Sequence, residues 1–251
     1  MNFNNITKSL NKPFPHIVID NFLDEAQYKK ILNEILEVDK KYYINSVMGG
    51  RYQYSIDLFD KNCHTKKLFD FFNSGLTYKK IQNLFINIPK IDTSENSEYL
   101  IDEKKFTHFL EKKNILQNIL IRLFPKFFKK KLFLHMDFSV AKNNYFREPH
   151  HDKNTRIISF LLYLNTIDNN QGGSLKLYKF KKNQKYERFP SYDKIEFVKK
   201  IEPKGGRLVI FLSCPNSIHE VEMFKPKNDD RRIFAYGSYT SFFDVNWNNN
   251  E

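Results

Sequence analysis

Seven short apolar runs, at residues 132–140, 157–164, 174–180, 195–201, 207–212, 218–224 and 232–240, fill the second half of the chain, and turn residues separate most of them. Runs recurring at this spacing read as strands. The first half reads differently. "PFPHIVID" predicts a strand held extended by its two prolines, and "DEAQYKKILNEILEVD" predicts an amphipathic helix with Tyr28, Ile31, Leu32, Ile35 and Leu36 on one face. Asp24 and Gln27 stand at capping-box spacing before it. Helical patterns return at 64–73, 76–88 and 103–124, and residues 40–60 predict two short extended pieces around Gly49-Gly50. Strands following helices imply an α+β chain whose antiparallel sandwich or barrel carries its helices on one side, mostly from the N-terminal half.

The expected organisation is a loose tail over residues 1–12, a single domain over 13–244 (helix-rich 13–130, β core 131–244) and a polar tail over 245–251. The chain has 251 residues, a formal charge of +12 and a pI near 9.4, values that would suit a nucleic-acid binder. Lysine is spread along the whole length, however, and accompanies the Asn, Ile, Phe and Tyr that an AT-rich genome favours, so basicity is discounted and nucleic acid is not expected as a partner. Two distant cysteines, Cys63 and Cys214, make no disulfide framework and fit a reducing compartment. With no signal-like N-terminus and no apolar run long enough for a membrane span, a cytoplasmic setting is expected.

The chemistry concentrates in "REPHHDKNTRIISFLLYLN". Strand alternation places His150 and Asp152 on one face and His151 on the other. A metal held by such a pair needs a third ligand, and His219 in "CPNSIHEVEMF" is the best candidate; by the same alternation Ser217, Val221 and Met223 share its side while Glu220 and Glu222 face away. Two histidines and a carboxylate with open positions form the facial arrangement of non-haem Fe(II) oxygenases, though zinc hydrolases use similar donors. In "NDDRRIFAYGSY" a strand carries Arg231 and Arg232, either of which could bring a guanidinium to a carboxylate. A second pair of the same spacing, His135-x-Asp137 in "LHMDF", lacks the following turn and reads as structural. His16, His64 and His108 show no partner, and Tyr42, Tyr43, Tyr52 and Tyr54 suit a substrate groove or packing equally.

Taken in order, "PHHDKNTRIISFLLYLN", "GGSLKLY", "PKGGRLVIFLS", "IHEVEMF" and "RRIFAYGSY" resemble the 2-oxoglutarate and Fe(II)-dependent dioxygenases of the prolyl 4-hydroxylase-like branch, and "PFPHIVIDNFL" resembles the start of that group's domain. The resemblance spans residues 13–240 and is strongest from 145 onward. It implies a double-stranded β-helix (jelly-roll) core; His150, Asp152 and His219 as iron ligands; and Arg232, with Arg231 as the alternative, on the distal carboxylate of 2-oxoglutarate. Tyr145 would reach the same carboxylate. Fe(II), 2-oxoglutarate and O2 would be required, with ascorbate as an accessory. The implied reaction hydroxylates a C–H bond of a protein, prolyl included, or of a small molecule, and releases succinate and CO2. A catalytically silent jelly-roll binding module and a metal-dependent hydrolase are the competing readings. A nucleic-acid demethylase would carry an Arg-x-Asn-x-Thr type signature after its distal histidine, and "RRIFAYGSY" lacks it.

Overall fold

Two mainly antiparallel sheets built mostly from the C-terminal half face each other across the core, and helices from the first half back the larger one. The computed structural model describes the chain apart from residues 5, 11, 43–49, 87–98, 101–107, 111–114, 130, 143, 183–186, 246 and 250–251. Strands β1 (Ile6–Leu10) and β2 (His16–Ile19) precede helix α1 (Glu25–Lys41), and β3 (Arg51–Tyr54) leads into α2 (His64–Phe72) and α3 (Gly75–Ile86). Short strands β4 (Tyr99–Leu100) and β5 (His108–Leu110) and helices α4 (Ile115–Leu123) and α5 (Pro125–Phe128) follow. The core strands are β6 (Lys131–Ala141), β7 (Tyr145–His150), β8 (Arg156–Tyr163), β9 (Leu175–Phe180), β10 (Ile195–Ile201), β11 (Leu208–Leu212), β12 (His219–Phe224) and β13 (Arg232–Ser241), with β14 (Asn248–Asn249) last.

The large sheet runs β1-β2-β11-β8-β13-β6-β3, with β5 added in parallel beside β6; the small sheet runs β10-β9-β12-β7. This is the jelly-roll arrangement. The non-local order follows from burial: β8 and β11 are apolar on nearly every residue, which suits strands covered on both faces. Leu175, Leu177 and Val221 from the small sheet join Ile158, Phe160, Leu162 and Phe211 from the large one in a single cluster. On the helix side, Phe160 stacks on Phe72 of α2 with ring centroids 4.3 Å apart. Gly237 permits this, because a Cβ there would lie 2.2 Å from Phe160 Cζ. Helix α1 starts with the reciprocal capping box of Asp24 and Gln27 and buries Ile31 and Ile35.

Two local expectations change and a third is covered only in part. Part of the stretch expected to be loose, β1, pairs with β2 as an edge strand; backbone pairing of this kind leaves no mark in a polar composition. Among the described residues of the helix expected over 103–124, 115–123 are helical, while 108–110 form β5, where pairing with β6 overrides local helical propensity. Of the two extended pieces expected around Gly49-Gly50, the second is β3, while the first falls at 43–49, outside the described residues, as does Tyr43.

Candidate metal centre

His150 ends β7 and His219 begins β12, and the two are cross-strand partners. Direct opposition on adjacent strands brings their rings to 4.4 Å between centroids. Asp152 lies two residues beyond the end of β7, where the chain has left the pleat. Alternation therefore does not aim it; the irregular segment and its hydrogen bonds do. One potential ligand atom from each of His150, Asp152 and His219 lies within 4.8 Å of the others, and all three residues are buried. Among the described residues no other set of three His, Cys, Asp or Glu side chains is gathered so closely.

The histidine tautomers follow from their partners. His150 Nδ1 lies 2.8 Å from the Glu148 carbonyl and His219 Nδ1 lies 2.9 Å from the Ser217 carbonyl. A carbonyl only accepts, so each Nδ1 carries the proton and donates it, which leaves the Nε2 lone pairs available for a metal. Burial, reinforced by the neighbouring His219, pushes His150 down to about 3, and burial lowers His219 as well. Both rings are thus neutral near pH 7, the form that ligates. Burial alone would raise the Asp152 carboxyl, but the Arg156 guanidinium and the hydrogen bond from the Ser159 hydroxyl hold it well below the usual carboxylate range.

The three side chains open onto a cavity of about 170 Å3 that Tyr145, Leu175, Phe211, Arg232 and Phe234 also line. Arg232 is fully buried; its Nε donates to the Gly173 carbonyl at 2.7 Å, while Nη1 and Nη2 have no hydrogen-bond partner among the described residues. The Tyr163 hydroxyl is likewise buried without a hydrogen-bond partner among the described residues, and the Arg232 guanidinium lies 5.2 Å from the Tyr163 ring. Gly173, at φ +75°, allows the approach, since a Cβ would meet Arg232 Cδ at 2.9 Å. Tyr145 is buried, with its ring 5.9 Å from the Arg232 guanidinium carbon. Arg231 takes another direction, donating to Asp39 at 2.6 Å and not to Asp229 or Asp230. The paired arginines are therefore separated by the fold: one enters the cavity and one braces α1.

His151 is buried but stands apart from the triad; its Nδ1 donates to the Asp152 carbonyl at 2.7 Å and its backbone N–H to the Arg188 carbonyl at 3.0 Å. On β12 the simple alternation fails. A register shift between Val221 and Phe224 turns Met223 outward and Phe224 inward, and Glu220 is buried, accepting from the Tyr178 hydroxyl. Sequence reasoning missed Arg156, Ser159, Tyr163 and Tyr236, which all surround the site. Tyr236 was within reach, four residues after Arg232 and hence on its face of β13.

Residues 131–237 match the sequence profile of the 2OG-Fe(II) oxygenase superfamily. No curated protein sequence matches the chain. Among solved structures, a Pseudomonas putida prolyl-4-hydroxylase is similar at 14% identity and TM-score 0.49, over 90% of this chain and 92% of that one. A Trichoplax adhaerens prolyl hydroxylase in complex with a hypoxia inducible factor peptide is similar at 15% identity and TM-score 0.46, over 90% and 83%. The non-heme alpha-ketoglutarate-dependent epimerase SnoN from nogalamycin biosynthesis is similar at 8% identity and TM-score 0.52, over 90% and 76%, a likeness that bears on the fold alone.

Proposed function

We propose that the chain, whose residues 131–237 match the 2OG-Fe(II) oxygenase superfamily, is a hydroxylase in which His150, Asp152 and His219 hold Fe(II) and Arg232 binds the distal carboxylate of 2-oxoglutarate. The chain is a 2-oxoglutarate-dependent oxygenase, and its cofactors are Fe(II) and 2-oxoglutarate. When bound, they supply the oxidising chemistry: with O2, decarboxylation to succinate and CO2 is coupled to hydroxylation of a C–H bond.

The observation that carries the residue roles is Arg232. A buried guanidinium with two unpartnered nitrogens is costly unless an anion joins it. Its planar fork matches a carboxylate, and it lines the same cavity as the triad. The two Nε2 lone pairs and the ionised Asp152 carboxylate fit a divalent ion with open positions. Tyr145 and the Tyr163 hydroxyl would complete the anion's surroundings, while Leu175, Phe211 and Phe234 exclude water. Intact ligand and arginine positions argue against a silent binding module. The other potential ligands lining the cavity, His135 and Asp137, are not gathered with the triad, and Asp137 is engaged by Arg51, Gln53 and Ser139, which argues against a hydrolase with a larger ligand set.

The hydroxylated group is a protein side chain, prolyl included, or a small molecule. Cys63 and Cys214 are both free, which suits a reducing, cytoplasmic setting, and among the described residues no helix is long and apolar enough to cross a membrane. Slow succinate formation from 2-oxoglutarate by the Fe(II)-loaded protein, without added substrate, tests the reading. It is expected in the wild type and not in His219→Ala; equal rates in both would contradict the assignment.

A further inference from the structure

Asp152 is held by three donors. Arg156 Nη1 donates to Oδ1 at 2.5 Å, Ser159 Oγ donates to Oδ2 at 2.5 Å, and the Tyr236 hydroxyl lies 3.1 Å from both oxygens. Arg156 Nη1 also donates to the Tyr236 oxygen. Since a guanidinium has no acceptor, the tyrosine oxygen must accept from Arg156, and its own hydrogen is thereby directed at Asp152. A donor equidistant from both carboxylate oxygens lies in the plane that bisects the carboxylate. A metal chelated by both oxygens would have to lie in that same plane.

We propose that Tyr236 is a positioning residue that restricts Asp152 to coordination through one oxygen, so that the aspartate's second oxygen does not consume the position that O2 would take. The inference rests on the iron site proposed above. In an octahedral ion the triad takes three positions and a chelating keto acid two; a bidentate aspartate would take the sixth. Tyr236 therefore serves O2 access, and Arg156 orients Tyr236. The use of arginine is itself informative. The chain has 33 lysines and eight arginines, yet Arg51, Arg147, Arg156 and Arg232 line the cavity and, among the described residues, no lysine does. A flexible ammonium would supply charge without the fixed donor directions that bridge Tyr236 and Asp152.

Nitric oxide, a surrogate for O2, tests this anaerobically in protein loaded with Fe(II) and 2-oxoglutarate, with the visible charge-transfer band of the iron–keto acid complex recorded first. Tyr236→Phe is expected to keep the band and to bind NO at least about tenfold more weakly, the scale on which groups around metal ligands act. Tyr236→Gln, whose amide restores a donor, should recover most of the affinity. Unchanged NO affinity in Tyr236→Phe would overturn the proposal. Should Tyr236→Phe fail to fold or load, Arg156→Gln decides instead: it leaves the hydroxyl unoriented and is expected to weaken NO binding severalfold, and wild-type affinity there would overturn the proposal. A wild type with no band would instead remove the iron-site reading, and this inference with it.

Discussion

The chain contains His-x-Asp twice, and the fold gives the two copies different work. His135 and Asp137 lie in mid-strand on β6, whereas His150 and Asp152 straddle the end of β7. Both pairs line the same cavity, and each aspartate is paired with an arginine, Asp137 with Arg51 at 2.6 Å and Asp152 with Arg156 at 2.5 Å. Asp137 is further saturated by Ser139 and Gln53. The difference lies in the histidines. His135 is half exposed, 3.9 Å from its own aspartate, while His150 faces His219 across the ladder with its Nε2 lone pair turned toward the cavity. Spacing makes a ligand pair available; a strand end and a cross-strand partner make it a site.

The largest effect expected from this contrast is on iron. His219→Ala should weaken Fe(II) binding by at least about a hundredfold, since a direct ligand matters at least as much as the groups that support one, while His135→Ala should leave it within about twofold; comparable losses would show that the mid-strand pair also ligates. Next comes the keto acid. Removing the buried guanidinium in Arg232→Ala should raise the 2-oxoglutarate concentration for half-saturation by about a hundredfold, whereas Arg231→Ala, which touches Asp39, should leave it almost unchanged, as measured by titrating the charge-transfer band.

The mid-strand pair should reveal itself in stability. Asp137→Ala leaves Arg51 buried without its carboxylate and is expected to cost about 3 kcal/mol in denaturant unfolding, with iron affinity retained; a protein as stable as the wild type would mean that the network is not structural.

How much of this was legible in the sequence depends on what kind of information each feature carries. The β core from Leu132 onward was readable because its strands are apolar runs bounded by turns, and burial is written directly in composition. His150, Asp152, His219 and Arg232 were identified through the order of five motifs, and the structure brings all four to one cavity. Residues 108–110, inside the segment 103–124 expected to be helical, were misread because β5 is defined by its pairing with β6, a contact from elsewhere in the fold. Met223 was assigned to the wrong face because a bulge shifts the alternation by one residue. Arg156 and Ser159 were missed because their role is convergence on Asp152 from β8, which no local pattern records, whereas Tyr236 shares the Arg232 face of β13 and could have been found by alternation. Rarity of arginine in a lysine-rich chain was the one signal that pointed toward Arg156.

The smallest expected effect concerns a third histidine far from the chemistry. His16 donates from Nδ1 to the Phe14 carbonyl at 2.8 Å and presents Nε2 to Lys199 at 3.3 Å. Burial first, against the Phe14 hydrogen bond and with Lys199 adding to it, pushes its pKa down to about 4. The unfolded chain then binds the proton near pH 6.5 and the folded chain only near 4, so stability falls as pH drops through that window and levels off below it. In His16→Asn the unfolding free energy should decline less steeply between pH 6.5 and 4 than in the wild type; parallel curves would show that His16 titrates normally.

The central claim is that one His-x-Asp pair, and not the other, holds the iron that 2-oxoglutarate chelates. An anaerobic titration with Fe(II) and 2-oxoglutarate, watching the visible metal-to-ligand charge-transfer band, tests it in wild type, Asp152→Ala and Asp137→Ala. The account predicts the band in the wild type and in Asp137→Ala and its loss in folded Asp152→Ala. A band that survives in Asp152→Ala and disappears in Asp137→Ala would contradict it.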